Sequence, residues 1–366
     1  MEGAQAVLKT TPLHREHVAL GARMAEFGGW DMPIQYEGIL AEHEHTRTKT
    51  GLFDICHMGE FELTGPFAVA DLEKLLTMKV STLAVGQCRY GFMLNGQGGV
   101  IDDLTCYRLG EERYMLVVNA ATLDGDAAWI QQHLSPQTVF TDLSDGIAKL
   151  DVQGPTARAE IETVIGKKLP ELGYFKAESF NALDTEMIVS RTGYTGDWGY
   201  ELYFPAKDAV RIWRALLANP NIKPIGLGAR DTLRLEMGYS LYGHELSLDR
   251  TPVATSRGMF IRKEGGFIGE AAVRRDLANP PEFLVALEFD SKRAARAHDK
   301  VFYQGAETGM VTSGSVSPSL GKAVALAFVK AEHAGLGNTL DVEIRGKLFP
   351  AKVVELPFYK KGTARG

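Results

Sequence analysis

Gly65-Pro-Phe-Ala-Val-Ala-Asp-Leu-Glu73 and Gly154-Pro-Thr-Ala-Arg-Ala-Glu-Ile-Glu162 spell one pattern, Gly-Pro-x-Ala-x-Ala-acid-aliphatic-Glu, twice at a spacing of 89 residues. Each copy follows a short strand-like run. FELT (61–64) alternates Phe61 and Leu63, and IAKLDVQ (147–153) is rich in aliphatics. Each copy then opens a helical stripe, in the first case Val69, Leu72, Leu75 and Leu76. Pro66 and Pro155 suit a first helical position, where the missing N–H has no partner to lose. A repeated strand–corner–helix unit implies two related α+β units in one chain; a corner that recurs by chance is the other reading of so short a match.

Working outward, RYGFMLN (89–95) and VIDDLTCYRL (100–109) flank Gly96-Gln-Gly-Gly99, a hairpin whose glycines tolerate positive φ. YMLVVN (114–119) continues that sheet and ATLDGDAAWIQQHL (121–134) returns to helix. Upstream, GILAEHEHTRTKT (38–50) predicts a polar-faced helix stopped by Gly51. Beyond about residue 275 the texture becomes short strands and Gly-rich turns, the pattern of an all-β sandwich or roll.

Composition bounds the function. The 366 residues carry 40 Lys and Arg against 46 Asp and Glu, for a net charge of −6. Single cores stop growing near about 250–300 residues, so two or three domains are expected. With 45% hydrophobic and 23% charged residues the chain is a folded globule rather than a disordered one. Its 39 glycines exceed the usual fraction of about 7%, which favours turns and strands. A slightly acidic balance argues against nucleic acid, which calls for a basic face. No apolar run reaches the roughly 20 residues of a membrane span, and Met1-Glu-Gly-Ala-Gln-Ala has no leader pattern. Cys56, Cys88 and Cys106 form neither a CxxC pair nor an even framework, so a reducing, cytoplasmic setting is expected.

The chain lacks the dinucleotide, P-loop, zincin and nucleophile-elbow signatures. His43 and His45 diverge on a helix and cannot share one ion unaided, so they are expected on a solvated face and no metal is expected. Asp102 and Asp103 point to opposite faces of a strand, so only one is expected in a given pocket. Glu201, in RTGYTGDWGYE (191–201), sits among Tyr194, Trp198, Tyr200 and Tyr203 on a strand that reads as buried. A buried carboxylate must find donors, either from a protein Arg, with Arg230 a candidate, or from a ligand with paired N–H groups. Asp231, Arg234 and Glu236 on the Arg230 helix can neutralise one another. Met58, after His57, reads first as core filler.

The segments TPLHREHVALGARMAEFGGWDMPIQY, GLFDICHMGE, RYGFMLNGQGGVIDDL, RTGYTGDWGYE, GLGARDTLRLEMGYSLYGHEL, TSGSVSPSLGKAVALAFV and ELPFYKK together resemble the glycine cleavage T-protein family, the aminomethyltransferases. The likeness runs from about residue 9 to about residue 360, in family order. Cys56 is a departure, since the family usually has Ser before His-Met. The resemblance implies an α+β cloverleaf. Residues 1–52 and 140–272 would form a discontinuous, ferredoxin-like, folate-binding lobe; 53–139 a similar inserted lobe; and 273–366 a jelly-roll-like all-β lobe, around a central folate channel. It implies tetrahydrofolate as co-substrate, with the one-carbon unit arriving as an aminomethyl group on the lipoyl arm of a partner H-protein. The family's essential aspartate matches Asp103, with Asp102 its structural neighbour. C–N cleavage makes a cationic carbon that a fixed carboxylate would stabilise, and the same group can take a proton from the attacking nitrogen. Glu201 matches the carboxylate that holds the pterin N–H edge. Met58, Tyr90, Val117, Asn119, Tyr194 and Arg230 match positions lining the folate pocket, and Tyr359 aligns less closely.

Related readings keep the frame and change the work. Flavin-dependent oxidising relatives need a dinucleotide domain this chain has no room for, and an iron–sulfur maturation relative needs a Lys-Gly-Cys loop that is absent. A folate-dependent demethylase acting on sulfonium substrates would use the same frame, and a folate-binding protein without catalysis would keep Glu201 and lose dependence on Asp103.

Overall fold

The computed structural model describes residues 7–365. The first six residues, where the leader reading falls, and Gly366 lie outside the described residues.

The two Gly-Pro corners are built alike. Gly65 and Gly154 hold φ of 116° and 133°, a conformation that strains any side chain. They directly follow the strands Gly59–Thr64 and Ile147–Gln153. A Cβ would stand 2.3 Å from the Gln137 carbonyl oxygen at the first corner and 1.9 Å from that of Lys49 at the second. The helices Ala68–Leu75 and Ala157–Ile165 follow, capped by Phe67 and Thr156. Pro66 and Pro155 therefore lie in the turn, not at the first helical position expected of them.

Strand pairing then separates the units. A six-stranded sheet runs Ala177–Ala182, Thr185–Ser190, Gly199–Pro205, Ile147–Gln153, Thr50–Asp54, Ile222–Pro224. A five-stranded sheet runs Gln87–Leu94, Val100–Gly110, Arg113–Val118, Gly59–Thr64, Val139–Asp142. Phe53 pairs with Asp151 across the first sheet, while the strands from Gly59 to Asp142, between them in sequence, build the second. One α+β lobe is thus inserted in the other. Phe53 and Asp54 stay in the first sheet and Val139–Asp142 joins the second, so both crossovers sit a few residues later than the expected 52 and 139.

The last six strands close into a barrel, Glu282–Phe289, Lys322–Lys330, Ala306–Ser317, Lys300–Tyr303, Thr339–Ile344, Lys347–Val354, the form the expected all-β lobe takes. Closure removes the unpaired edges, and the barrel fills with Val285, Leu287, Phe289, Val311, Leu340 and their neighbours. Each lobe has its own core; Leu150, Val152, Tyr200, Trp213 and Phe204 fill the first, Leu63, Leu72, Leu104 and Leu116 the second.

Helix Leu227–Glu236 fastens the barrel to the first lobe. Glu236 accepts from Arg47 (2.9 Å), from the Ser317 and Ser319 hydroxyls (2.5 and 2.8 Å) and from the Ser319 N–H (3.0 Å). Burial pushes the Glu236 acid up, but His43, Arg47 and Ser317 outweigh it and hold it down at about 2. His43 is fully buried between Thr232, Ser319 and Glu236, not on a solvated face. Its helix is Ile39–Thr48, and Gly51 lies inside the next strand instead of stopping the helix; a Cβ there would meet Thr46 Oγ1 at 2.6 Å.

Candidate active site

The hairpin brings Phe92 opposite Asp103 and Met93 opposite Asp102. Pleating sends the two acids to opposite faces, yet one residue gathers both. The Asn119 side chain donates to Asp102 Oδ1 (2.7 Å) and Asp103 Oδ1 (2.9 Å), and its backbone N–H donates to Asp102 Oδ2 (2.9 Å). Asp103 also accepts from the Tyr90 hydroxyl at 2.8 Å. Tyr90 itself packs edge-on against Phe92 and Phe260. Asp102 is fully buried and Asp103 half-buried. Neither simply faces bulk water, contrary to the ordinary fate of acids near a hairpin end.

The charge balance here is lopsided. Asp126, in the first turn of helix Leu123–His133, is also fully buried, and neither of its carboxyl oxygens has a hydrogen-bond acceptor's usual partner. Burial, then the charge of Asp102, raises the Asp103 acid to about 7. Burial also raises Asp102, and burial with Asp102 beside it raises Asp126 to about 10. Among the described residues none of the three acids is in an ion pair, and all three are raised above the usual carboxylate range.

Glu201 lies on Gly199–Pro205, paired with Asp151. Its Oε2 accepts from the Thr192 hydroxyl (2.5 Å), the Tyr203 hydroxyl (3.1 Å) and the Tyr107 hydroxyl (3.4 Å). Lys149 Nζ stands 3.5 Å from Oε1. Burial pushes this acid up, but Lys149, Thr192 and Arg230 outweigh it and hold it below the usual carboxylate range. Two expectations change here. Glu201 has protein donors of its own, and of the four aromatics near it in sequence only Tyr203 touches it. Strand alternation turns Tyr200 into the core, Trp198 donates to Tyr200 and stacks with Arg191, and Tyr194 donates to the Ser240 carbonyl.

Arg230 pairs with Asp151 at 2.8 Å, not with Glu201, and its guanidinium lies 4.9 Å from the Tyr194 ring centre. Asp151 Oδ1 is buried without a partner, and burial raises this acid to about 7 against the pull of Arg230. Asp231 and Arg234 do pair, at 2.8 Å, whereas Glu236 turns to the barrel. Met58 reaches Lys149 through sulfur at 3.7 Å. Val117 packs in one cluster with Tyr107 and Tyr203. Tyr359 sits elsewhere, its ring 4.2 Å from the Arg47 guanidinium and its N–H on the Glu236 carbonyl.

Asp103, Thr105 and Tyr107 share one face of Val100–Gly110. Four residues of strand span roughly 13 Å, so this face carries the Asp103 group at one end and, through Tyr107, the Glu201 group at the other. Lys149, Asp151, Thr192 and Tyr107 were not picked out as site residues from sequence. The signal for the first two was there: period-two alternation in IAKLDVQ puts Lys149, Asp151 and Gln153 on one face of an otherwise apolar strand. Among the described residues no group of three His, Cys, Asp or Glu is arranged to hold a metal.

Fold and site together define a protein of two α+β lobes and a closed barrel, with Asp103 on the five-stranded sheet and Glu201 on the six-stranded one. Comparison sharpens the class. Residues 13–265 match the GCVT N-terminal domain and residues 283–360 the glycine cleavage T-protein C-terminal barrel domain. An aminomethyltransferase of Shouchella clausii is 42% identical over 361 residues, covering 97% of this chain and 98% of that one. One from Desulfitobacterium hafniense is 42% identical over 360 residues, covering 97% and 99%. The crystal structure of the glycine cleavage system aminomethyltransferase T from Bartonella henselae superposes with a TM-score of 0.92 at 34% identity, covering 98% of this chain and 99% of that one. The chain belongs to the glycine cleavage T-protein family, the aminomethyltransferases.

Proposed function

We propose that this chain transfers the aminomethyl carbon held on the lipoyl sulfur of a partner H-protein to tetrahydrofolate. The products are 5,10-methylenetetrahydrofolate, ammonia and dihydrolipoyl H-protein. The carbon loses its bonds to sulfur and to the amine nitrogen and gains two bonds to folate nitrogens. The two protons those nitrogens lose end on ammonia and on the lipoyl thiol.

The observation that carries this reading is Asp103: a half-buried carboxyl with a proton affinity near neutrality, aimed by Tyr90 and Asn119. Such a group can take a proton from a folate nitrogen and hand it on, and when ionised it stabilises positive charge on the migrating carbon. The residues present fit the co-substrate. Glu201 stays ionised to meet pterin N–H donors through Oε1, its less committed oxygen. Met58, Tyr90, Val117 and Tyr194 supply apolar and aromatic walls, Arg230 a fixed cation, and Asn119 the alignment of Asp103. Tyr359, on its Arg47 perch, is proposed only as a neighbour of that pocket. Three buried free thiols accord with a cytoplasmic setting, and no described helix is long and apolar enough to cross a membrane.

The test is ammonia release by the purified chain from aminomethylated H-protein. Release that requires tetrahydrofolate supports the reading; release at the same rate without it removes the folate role. Free dihydrolipoamide in place of H-protein, assayed in the reverse direction, should react only slowly, because docking supplies effective concentration.

A further inference from the structure

Lys149 is the least explained group near the site. Its side chain is 2% exposed. Its contacts are Glu201 Oε1 at 3.5 Å, Met58 Sδ at 3.7 Å and the Tyr203 ring centre at 5.1 Å. These are a long ion pair, a soft acceptor and a ring face, for an ammonium with three strong donors. Burying such a head with one oxygen acceptor, at 3.5 Å, is costly.

None of the other acids close by hydrogen-bonds the Lys149 ammonium, although Asp151 Oδ1 and Glu60 Oε1 are themselves without partners. Glu201 Oε2 is taken up by three hydroxyls. Arg230 takes Asp151 Oδ2. Burial raises the Glu60 acid to about 8 in spite of Lys149, so near neutrality it brings no negative charge. What remains is a donor beside an acceptor: the Lys149 ammonium next to Glu201 Oε1, screened by the flexible thioether of Met58.

The recognition edge of a 4-oxo pteridine is the complement, a carbonyl oxygen followed by a ring N–H and an exocyclic amine. We propose that Lys149 is a specificity-determining residue that donates to the pteridine 4-oxo group once the ligand displaces the Met58 sulfur, beside the N–H contact at Glu201. This rests on the folate reading above. A 4-amino pteridine would bring an N–H donor against the ammonium, and the site would reject it.

Calorimetric titration with tetrahydrofolate and with its 4-amino-4-deoxy counterpart tests the assignment. The unaltered chain should bind the 4-oxo compound about tenfold or more tightly, the scale of a hydrogen bond to a charged group. Lys149→Met should narrow that margin by weakening the 4-oxo compound alone, and Lys149→Gln, which retains a neutral donor, should narrow it less. Equal affinity of the unaltered chain for both compounds overturns the proposal without any substitution. So does an equal loss for both in Lys149→Met, which would make Lys149 only the counter-charge of Glu201. Failure of the unaltered chain to bind either compound sinks the folate reading itself, a separate result.

Discussion

The acids at the two ends of the Val100–Gly110 face began as the same chemistry and finish as opposites. Asp103 has two acids for neighbours, and its donors are a neutral phenol and a neutral amide; burial and Asp102 keep its proton on to about 7. Glu201 is buried too, yet Lys149, Thr192 and Arg230 keep its proton off. The difference teaches that depth alone does not decide a carboxyl's task. A site needs one acid whose proton moves at working pH and one whose charge does not, and neighbours of opposite sign divide the two roles.

That contrast can be broken in order of size. Asp103→Asn retains shape and both contacts but cannot exchange a proton, so turnover should fall by about 10²–10⁴ while calorimetry finds tetrahydrofolate affinity little changed. Full turnover in this variant would hand the chemistry to another group. Glu201→Gln should do the reverse, weakening tetrahydrofolate binding by about 1.5–3 kcal/mol with much smaller loss at saturation; an unchanged titration would return Glu201 to a structural part.

The pH profile sharpens the comparison next. If Asp103 acts as the proton acceptor it must first be ionised, so turnover should climb as pH rises through about 7. Asp102→Asn removes the neighbouring negative charge and should slide that limb down by roughly one pH unit or more. A limb that stays put would uncouple the pair. The smallest effect belongs to Tyr107→Phe. Its hydroxyl is one of three on Glu201 Oε2, at 3.4 Å, so binding should weaken by about 0.5–1.5 kcal/mol. A loss as large as that of Glu201→Gln would mean the hydroxyl cluster, and not Lys149, holds the charge in place.

Much of the frame was legible because its signals are local. The doubled Gly-Pro corner, the glycine hairpin and the run of short strands after residue 275 each declare themselves within a dozen residues. Asp103 and Glu201 were singled out by the resemblance of their motifs to a family, not by any local period. What stayed hidden came from pairing across distance. Asn119 bridging both acids depends on Arg113–Val118 lying beside Val100–Gly110. Arg230 finding Asp151, and Thr192 finding Glu201, depend on side-chain reach after the sheets are assembled. The aromatics around Glu201 misled because neighbours in a strand point to opposite sides. Tyr359 follows a turn whose path no periodicity encodes.

Glu236 has a last consequence. A single fully buried carboxylate receives hydrogen bonds from Arg47 in the first lobe and from Ser317 and Ser319 at the end of a barrel strand. Cutting the chain ahead of residue 282 would leave that anion, and the guanidinium that answers it, facing an empty socket. The barrel is therefore a keystone rather than an appendage. Shortened versions should be insoluble instead of merely inactive.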